Sequence, residues 1–168
     1  TNEDTDFTTA VLGDDWYGKQ GTVNIANGKL FLENAGDGIS TVKKNVGDQD
    51  YSVEAKWDDF VSDSTGGAIL RVSMDSSEQD FAQMMRQGDG TIHFTVVTNG
   101  KATEKTISYA GTSGWFRLDY DHETKEVSAY YRETDADAWI VMPGSGFVAD
   151  TFDGKHTMEL IVDDWGTA

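Results

Sequence analysis

The chain has 168 residues, with 30 Asp and Glu against 13 Lys and Arg, a formal net charge of -17. The length suffices for a single domain, residues 1–168, with a sizeable core. The charge argues against nucleic acid and anionic membranes as partners, because both require a basic surface; the lack of cysteine excludes disulfides, thiolate metal sites and cysteine nucleophiles.

No apolar run approaches the roughly 18 residues of a membrane helix, so membrane insertion is not expected. Thr1 is followed by no signal-peptide pattern. The chain therefore reads as a mature secreted protein or a module of a larger secreted one. It is expected to be extracellular and monomeric outside any parent protein.

Eighteen glycines and a single proline, Pro143, punctuate the sequence. Helical periodicity is nearly absent. Short alternating segments predict strands at 21–26, 29–35, 39–46, 51–61, 67–75, 79–87, 91–98, 101–109, 115–122, 125–133, 137–142 and 155–164. A dozen short strands with frequent turns read as an all-β, two-sheet antiparallel sandwich of the jelly-roll kind.

In chain order, Asn2, Asp4 and Asp6 alternate at the start, and Trp16 and Tyr17 fall in a DDWYG loop expected to form a rim platform. Asn27-Gly28 joins TVNIA to KLFLE and suits a two-residue type I′ hairpin. Trp57 alternates with Val53 and Ala55, which predicts a core position. In GAILRVSM, Ala68, Leu70, Val72 and Met74 share one face and Arg71 takes the other.

Residues 79–109 predict a three-strand meander through Asp89-Gly90 and Asn99-Gly100. With Asp89-Gly90 as a two-residue loop, Arg86 faces His93, and Met85 faces Phe94 in the core. A three-residue loop, Gly88–Gly90, would shift that pairing by one. A turn centred on Glu123-Thr124 pairs Asp121 with Glu126. Phe116, Leu118 and Tyr120 then align with Tyr131, Ala129 and Val127. The opposite face carries Trp115 beside Arg132, Arg117 beside Tyr130, and Asp119 beside Ser128. Trp139 follows an acidic DADA turn and is expected at a rim. Buried residues are predicted to include Met85, Phe94, Phe116, Leu118, Val127, Ala129 and Tyr131. All four arginines, Arg71, Arg86, Arg117 and Arg132, thus fall mid-strand on the side away from the core, in phase with Trp115, Tyr130 and His93.

The stretches GTVNIANGKLFLEN, DYSVEAKW, GGAILRVSM, FAQMMRQGDGTIHF, GWFRLDYD and KEVSAYYRETDADAW occur in that order. Together they resemble the concanavalin A-like superfamily of jelly rolls, particularly its laminin-G-like and carbohydrate-module branches. The resemblance covers most of the chain. It implies two stacked antiparallel sheets, one concave, with polysaccharide bound on the concave face or its rim. In some members it implies a structural calcium near the chain termini, for which Asp4, Asp6 and Asp163 are the candidates here.

Sugars offer hydroxyls to planar donors and C–H faces to aromatic rings. The expected carbohydrate-binding set is Arg71, Arg86, His93, Trp115, Arg117, Tyr130, Arg132 and Trp139, in one patch. The competing reading is a solvated face in which Arg132 stacks on Trp115 and the arginines pair with acids such as Asp119. The reading is a non-catalytic carbohydrate-binding module or lectin-like domain. A jelly-roll polysaccharide lyase is the enzyme alternative, with His93, Tyr130, Arg86 and Arg117 as the analogous set, although the alginate-lyase motifs are absent. The laminarinase-type E-x-D-x-x-E spacing is absent too: EQDFAQ supplies Glu78 and Asp80 but Gln83 in place of the second acid. A structural or adhesin domain without a glycan ligand is the third class.

Overall fold

The computed structural model describes residues 16–20, 22–26, 29–33, 38–58, 66–74 and 78–164. Every regular element among them is a strand: β1 (Trp16–Gln20), β2 (Thr22–Ala26), β3 (Lys29–Glu33), β4 (Gly38–Gly47), β5 (Tyr51–Trp57), β6 (Gly67–Met74) and β7 (Phe81–Gln87), then β8 (Thr91–Thr98), β9 (Lys101–Ser108), β10 (Gly114–Asp121), β11 (Glu126–Arg132), β12 (Ile140–Val141), β13 (Phe147–Val148) and β14 (His156–Asp164). One sheet has seven strands in the order β1-β4-β14-β6-β7-β8-β9. The second has five, β12-β11-β10-β5, with β13 also on β11; β2 and β3 form a hairpin. The strand pairings are antiparallel. Trp16 and Tyr17, expected in a loop, open β1 instead.

The inner faces meet in one apolar core. The seven-stranded sheet contributes Leu70, Val72, Met84, Ile92, Phe94, Val96 and Met158; the five-stranded sheet contributes Val53, Phe116, Leu118, Tyr120, Val127 and Ala129. Burying a side chain such as Phe94 or Leu118 stabilises by roughly 1.5 to 3 kcal/mol. Trp57, as expected, packs on this core, with its ring centroid 5.5 Å from Phe116. Tyr131 is half-buried against it.

A polar group also sits inside. His156 has no exposed surface, its Nδ1 lies 2.9 Å from the Tyr51 hydroxyl, and its ring is 4.5 Å from that of Tyr120. Burial, and then Tyr120, push the Tyr51 phenol up.

The β10–β11 register is the expected one, from Trp115↔Arg132 to Asp121↔Glu126. Asn99-Gly100 is the expected two-residue turn: Thr98 pairs with Lys101, and both loop residues have positive φ, 47° and 77°. Residues 27 and 28 lie outside the described residues, but Ala26 pairs with Lys29 as expected.

The β7–β8 hairpin differs. Gln87 pairs with Thr91, so the loop is Gly88–Gly90, with φ of 90° at Gly90. Asp89 does not adopt positive φ, which rules out type I′; the turn closes with Gly90 N–H donating to Gln87 O at 3.2 Å. A one-residue shift inverts every side chain. Met84, not Met85, therefore faces Phe94 and is fully buried. Met85 moves to the outer face opposite His93, and Arg86 turns inward.

Candidate functional site

The eight predicted binding residues do not form one patch. Strand alternation assigned each to "in" or "out", but a sandwich has two outer faces. Arg71 and His93 lie outside the seven-stranded sheet. Trp115, Arg117, Tyr130 and Arg132 lie outside the five-stranded sheet, with Trp139 against them. Arg86 is 5% exposed; its Nε donates to Gly111 O at 3.2 Å and its Nη1 to Gln87 O, and it lies 6.0 Å from the Tyr109 ring. Burial holds its pKa below the usual guanidinium value. The lyase set of His93, Tyr130, Arg86 and Arg117 is dispersed over the same three places.

Among the described residues no group of three His, Asp or Glu comes together. Asp163 lies in β14 opposite Ile39 and Gly67, whereas Asp4 and Asp6 lie outside the described residues.

On the five-stranded sheet, cations and rings alternate in a column. Arg117 sits 5.0 Å from the Tyr130 ring and 5.8 Å from Trp139. Arg132 sits 4.2 Å from Trp139 and 5.1 Å from Trp115, and Lys56 lies 5.9 Å from Trp115. The cations are also engaged sideways. Arg117 donates from Nε and Nη2 to both oxygens of Asp119, at 2.7 and 2.6 Å, and that pairing raises its pKa. Arg132 Nη1 donates to the carbonyls of Asp135 and Asp137. Beside Tyr130 an open groove of about 530 Å³ is lined by Ser52, Asp119, Asp121, Glu126 and Ser128.

On the seven-stranded sheet, a row of polar side chains crosses six strands. The registers align Lys43 (β4), Glu159 (β14), Arg71 (β6), Gln83 (β7), Thr95 (β8) and Glu104 (β9). Arg71 Nε donates to Gln83 at 2.9 Å and its Nη1 lies 3.5 Å from Glu78; Ser73 donates to Glu159 at 3.2 Å, and Lys43 lies 3.9 Å from Glu159. Thr95 donates to Glu104 at 2.8 Å, and His93 Nδ1 faces the other Glu104 oxygen at 3.0 Å. Burial favours the neutral Glu104 carboxyl, but the bonds from His93 and Thr95 outweigh it and hold the group below its ordinary value. Two members of the row are sunk, Glu159 at 8% exposed and Thr95 at 7%, although both face outward, whereas Glu104 at its end is exposed. The flanks of the row are partly apolar: Ile161, Ile69 and Met85 continue to His93 on one side, and Phe81 and Val97 continue from Thr157 and Ser73 on the other. Arg71 covers the Phe81 ring at 4.4 Å.

No family model and no curated protein sequence matches the chain. Solved structures do match. A carbohydrate-binding module, CBM66 from Bacillus subtilis, superposes with a TM-score of 0.59 at 11% identity, over 89% of this chain and 91% of that one. SCLam, a non-specific endo-β-1,3(4)-glucanase from family GH16, gives 0.64 at 14% identity, over 96% and 79%. The Crh5 transglycosylase gives 0.61 at 15%, over 97% and 84%.

The fold is that of the concanavalin A-like jelly rolls. In this concanavalin A-like sandwich, the residues nearest to a hydrolase motif are occupied otherwise. Glu78 pairs with Arg71, Asp80 accepts from the Asn99 N–H at 2.9 Å and from the Thr151 hydroxyl, and Gln83 accepts from Arg71. The two glutamates of the polar row stand four strand spacings apart, about 19 Å. That exceeds the roughly 5 to 9.5 Å at which paired carboxylates act on a glycosidic bond. The sequence reading missed Lys43, Glu159, Thr95 and Glu104 as site members. Thr95 faces Glu104 through the expected Asn99-Gly100 hairpin, whereas Lys43 and Glu159 join them only because β14 enters between β4 and β6, which no local pattern reveals.

Proposed function

We propose that the chain is a non-catalytic, secreted carbohydrate-binding module that holds a polysaccharide on the outer face of its seven-stranded sheet. One observation carries this reading: the row from Lys43 to Glu104, sunk at Glu159 and Thr95, lines up hydrogen-bond donors and acceptors on an outward face, between partly apolar flanks. Partial desolvation strengthens the bonds such groups make, and the flanking apolar side chains suit the C–H faces of sugar rings. Five strand spacings make the row about 24 Å long, enough for several sugar units of a chain. The presence of a carbohydrate-binding module and of glycan-acting enzymes among the structures that share the fold supports a glycan partner.

A second reading places the glycan on the other sheet, where Trp115, Tyr130 and Trp139 keep partly exposed rings beside the groove. Parallel variants separate the two. Glycan-array screening followed by calorimetry on Arg71→Ala and Trp115→Ala is the test, with melting curves as the folding control. Loss of a charged hydrogen bond on Arg71→Ala should weaken binding by about 1.5 to 3 kcal/mol, roughly tenfold or more in Kd, while Trp115→Ala should leave it unchanged. The reverse pattern would move the site to the five-stranded sheet. A wild-type protein that binds no glycan on the array would end the reading.

A further inference from the structure

We infer that the glycan taken by the seven-stranded face is uncharged, an inference that rests on the binding reading above. Among the described residues, the two cations of the row each face a carboxylate, Lys43 lying 3.9 Å from Glu159 and Arg71 3.5 Å from Glu78, and His93 Nδ1 lies 3.0 Å from Glu104. An incoming uronate or sulfate would have to share its cation with an acid already beside it, at the cost of like-charge repulsion. It would also approach a body of net charge -17, and like charge lowers both encounter and residence.

The donor–acceptor order of the row points the same way. A carboxylate or sulfate only accepts hydrogen bonds, whereas a sugar hydroxyl both donates and accepts. Along the row, ammonium, carboxylate, guanidinium, amide, hydroxyl and carboxylate follow one another. A hydroxyl between Arg71 and Glu159 can accept from the first and donate to the second. An anion there would meet Glu159 with no proton to offer. Arg71 gives Nε to Gln83 and Nη1 to Glu78, which leaves Nη2 for such a hydroxyl. The groove on the other outer face offers an anion no better reception: Arg117 is clasped by Asp119, and the groove beside it is lined by Asp119, Asp121 and Glu126.

The test is an array of neutral, uronate-bearing and sulfated polysaccharides, read at low and high salt. Hits confined to neutral glycans, with affinity nearly independent of salt, are expected. Carboxymethylation of a neutral hit should cost at least roughly tenfold at low salt and less at high salt, where screening shortens the reach of the repulsion. Glu78→Gln, at a highly exposed side chain, should recover part of the binding to the carboxymethylated form by uncovering Arg71. Hits led by uronate or sulfate glycans that weaken with salt would overturn the inference while leaving glycan binding in place. An array with no hits would end both.

Discussion

The column on the five-stranded sheet decides between a brace and a platform, and Arg132→Ala tests it. Arg132 lies 4.2 Å from the Trp139 ring and 5.1 Å from Trp115, and its Nη1 donates at 3.1 Å to the Asp135 carbonyl. Each cation–π contact at a partly exposed site contributes about 0.5 to 1 kcal/mol, and the hydrogen bond adds about 1 kcal/mol. The variant should therefore lose about 2 kcal/mol, or about 6 °C in melting temperature at this chain length. Arg132→Lys keeps the charge but not the planar fork, and should recover less than half of the loss. Differential scanning calorimetry with parallel glycan-binding measurements is the assay. The reasoning behind the brace is refuted if the melting temperature moves by less than about 1 °C while binding disappears.

Three further outcomes are expected. Met84→Ala should lower stability by about 3 kcal/mol and Met85→Ala by under about 1 kcal/mol, read from urea midpoints; a larger loss at Met85 than at Met84 would return the β7–β8 hairpin to a two-residue loop. Because the folded state holds Glu104 below its ordinary value, the stability it adds is present above the unfolded carboxylate pKa of about 4.3 and is lost as pH falls through the folded value. Wild type should exceed Glu104→Gln by about 0.5 kcal/mol above roughly pH 5, and a gap that widens in acid would contradict the assignment. Calcium bound by Asp4, Asp6 and Asp163 would add stability by mass action, so a chelator should lower the melting temperature; superimposable curves would remove the ion.

The β10–β11 pair was readable from sequence because two independent signals agree. Phe116, Leu118 and Tyr120 alternate with polar residues, and the Glu123-Thr124 turn fixes the same phase. FAQMMRQ carries no such check. Met84 and Met85 are adjacent, so hydrophobicity alone suits either phase, and the choice fell to a Gly-Asp-Gly turn that allows two loop lengths. The phase went wrong there and took Arg86 with it. The sequence reading did not place His156 inside: it alternates with Met158 and Leu160, but its Tyr51 partner is 105 residues away. What alternation cannot supply is which sheet a strand joins. Arg71 and Arg117 share a phase and still point in opposite directions, because pairing partners are chosen across the whole chain rather than within a window.

The strand order also governs when the molecule can assemble. β14 is the last described strand in sequence, yet it lies in the interior of the seven-stranded sheet, hydrogen-bonded to β4 on one flank and to β6 on the other. During synthesis the meander β6-β7-β8-β9 can zip from local hairpins as soon as it leaves the ribosome. β4 must wait with an unfilled edge until residues 156–164 emerge. Joining β4 to β14 closes a loop of more than a hundred residues, the kind of contact that slows folding. The nascent chain therefore carries two open strand edges through most of its translation, and its heavy negative charge is then a safeguard, keeping neighbouring chains from supplying the missing strand.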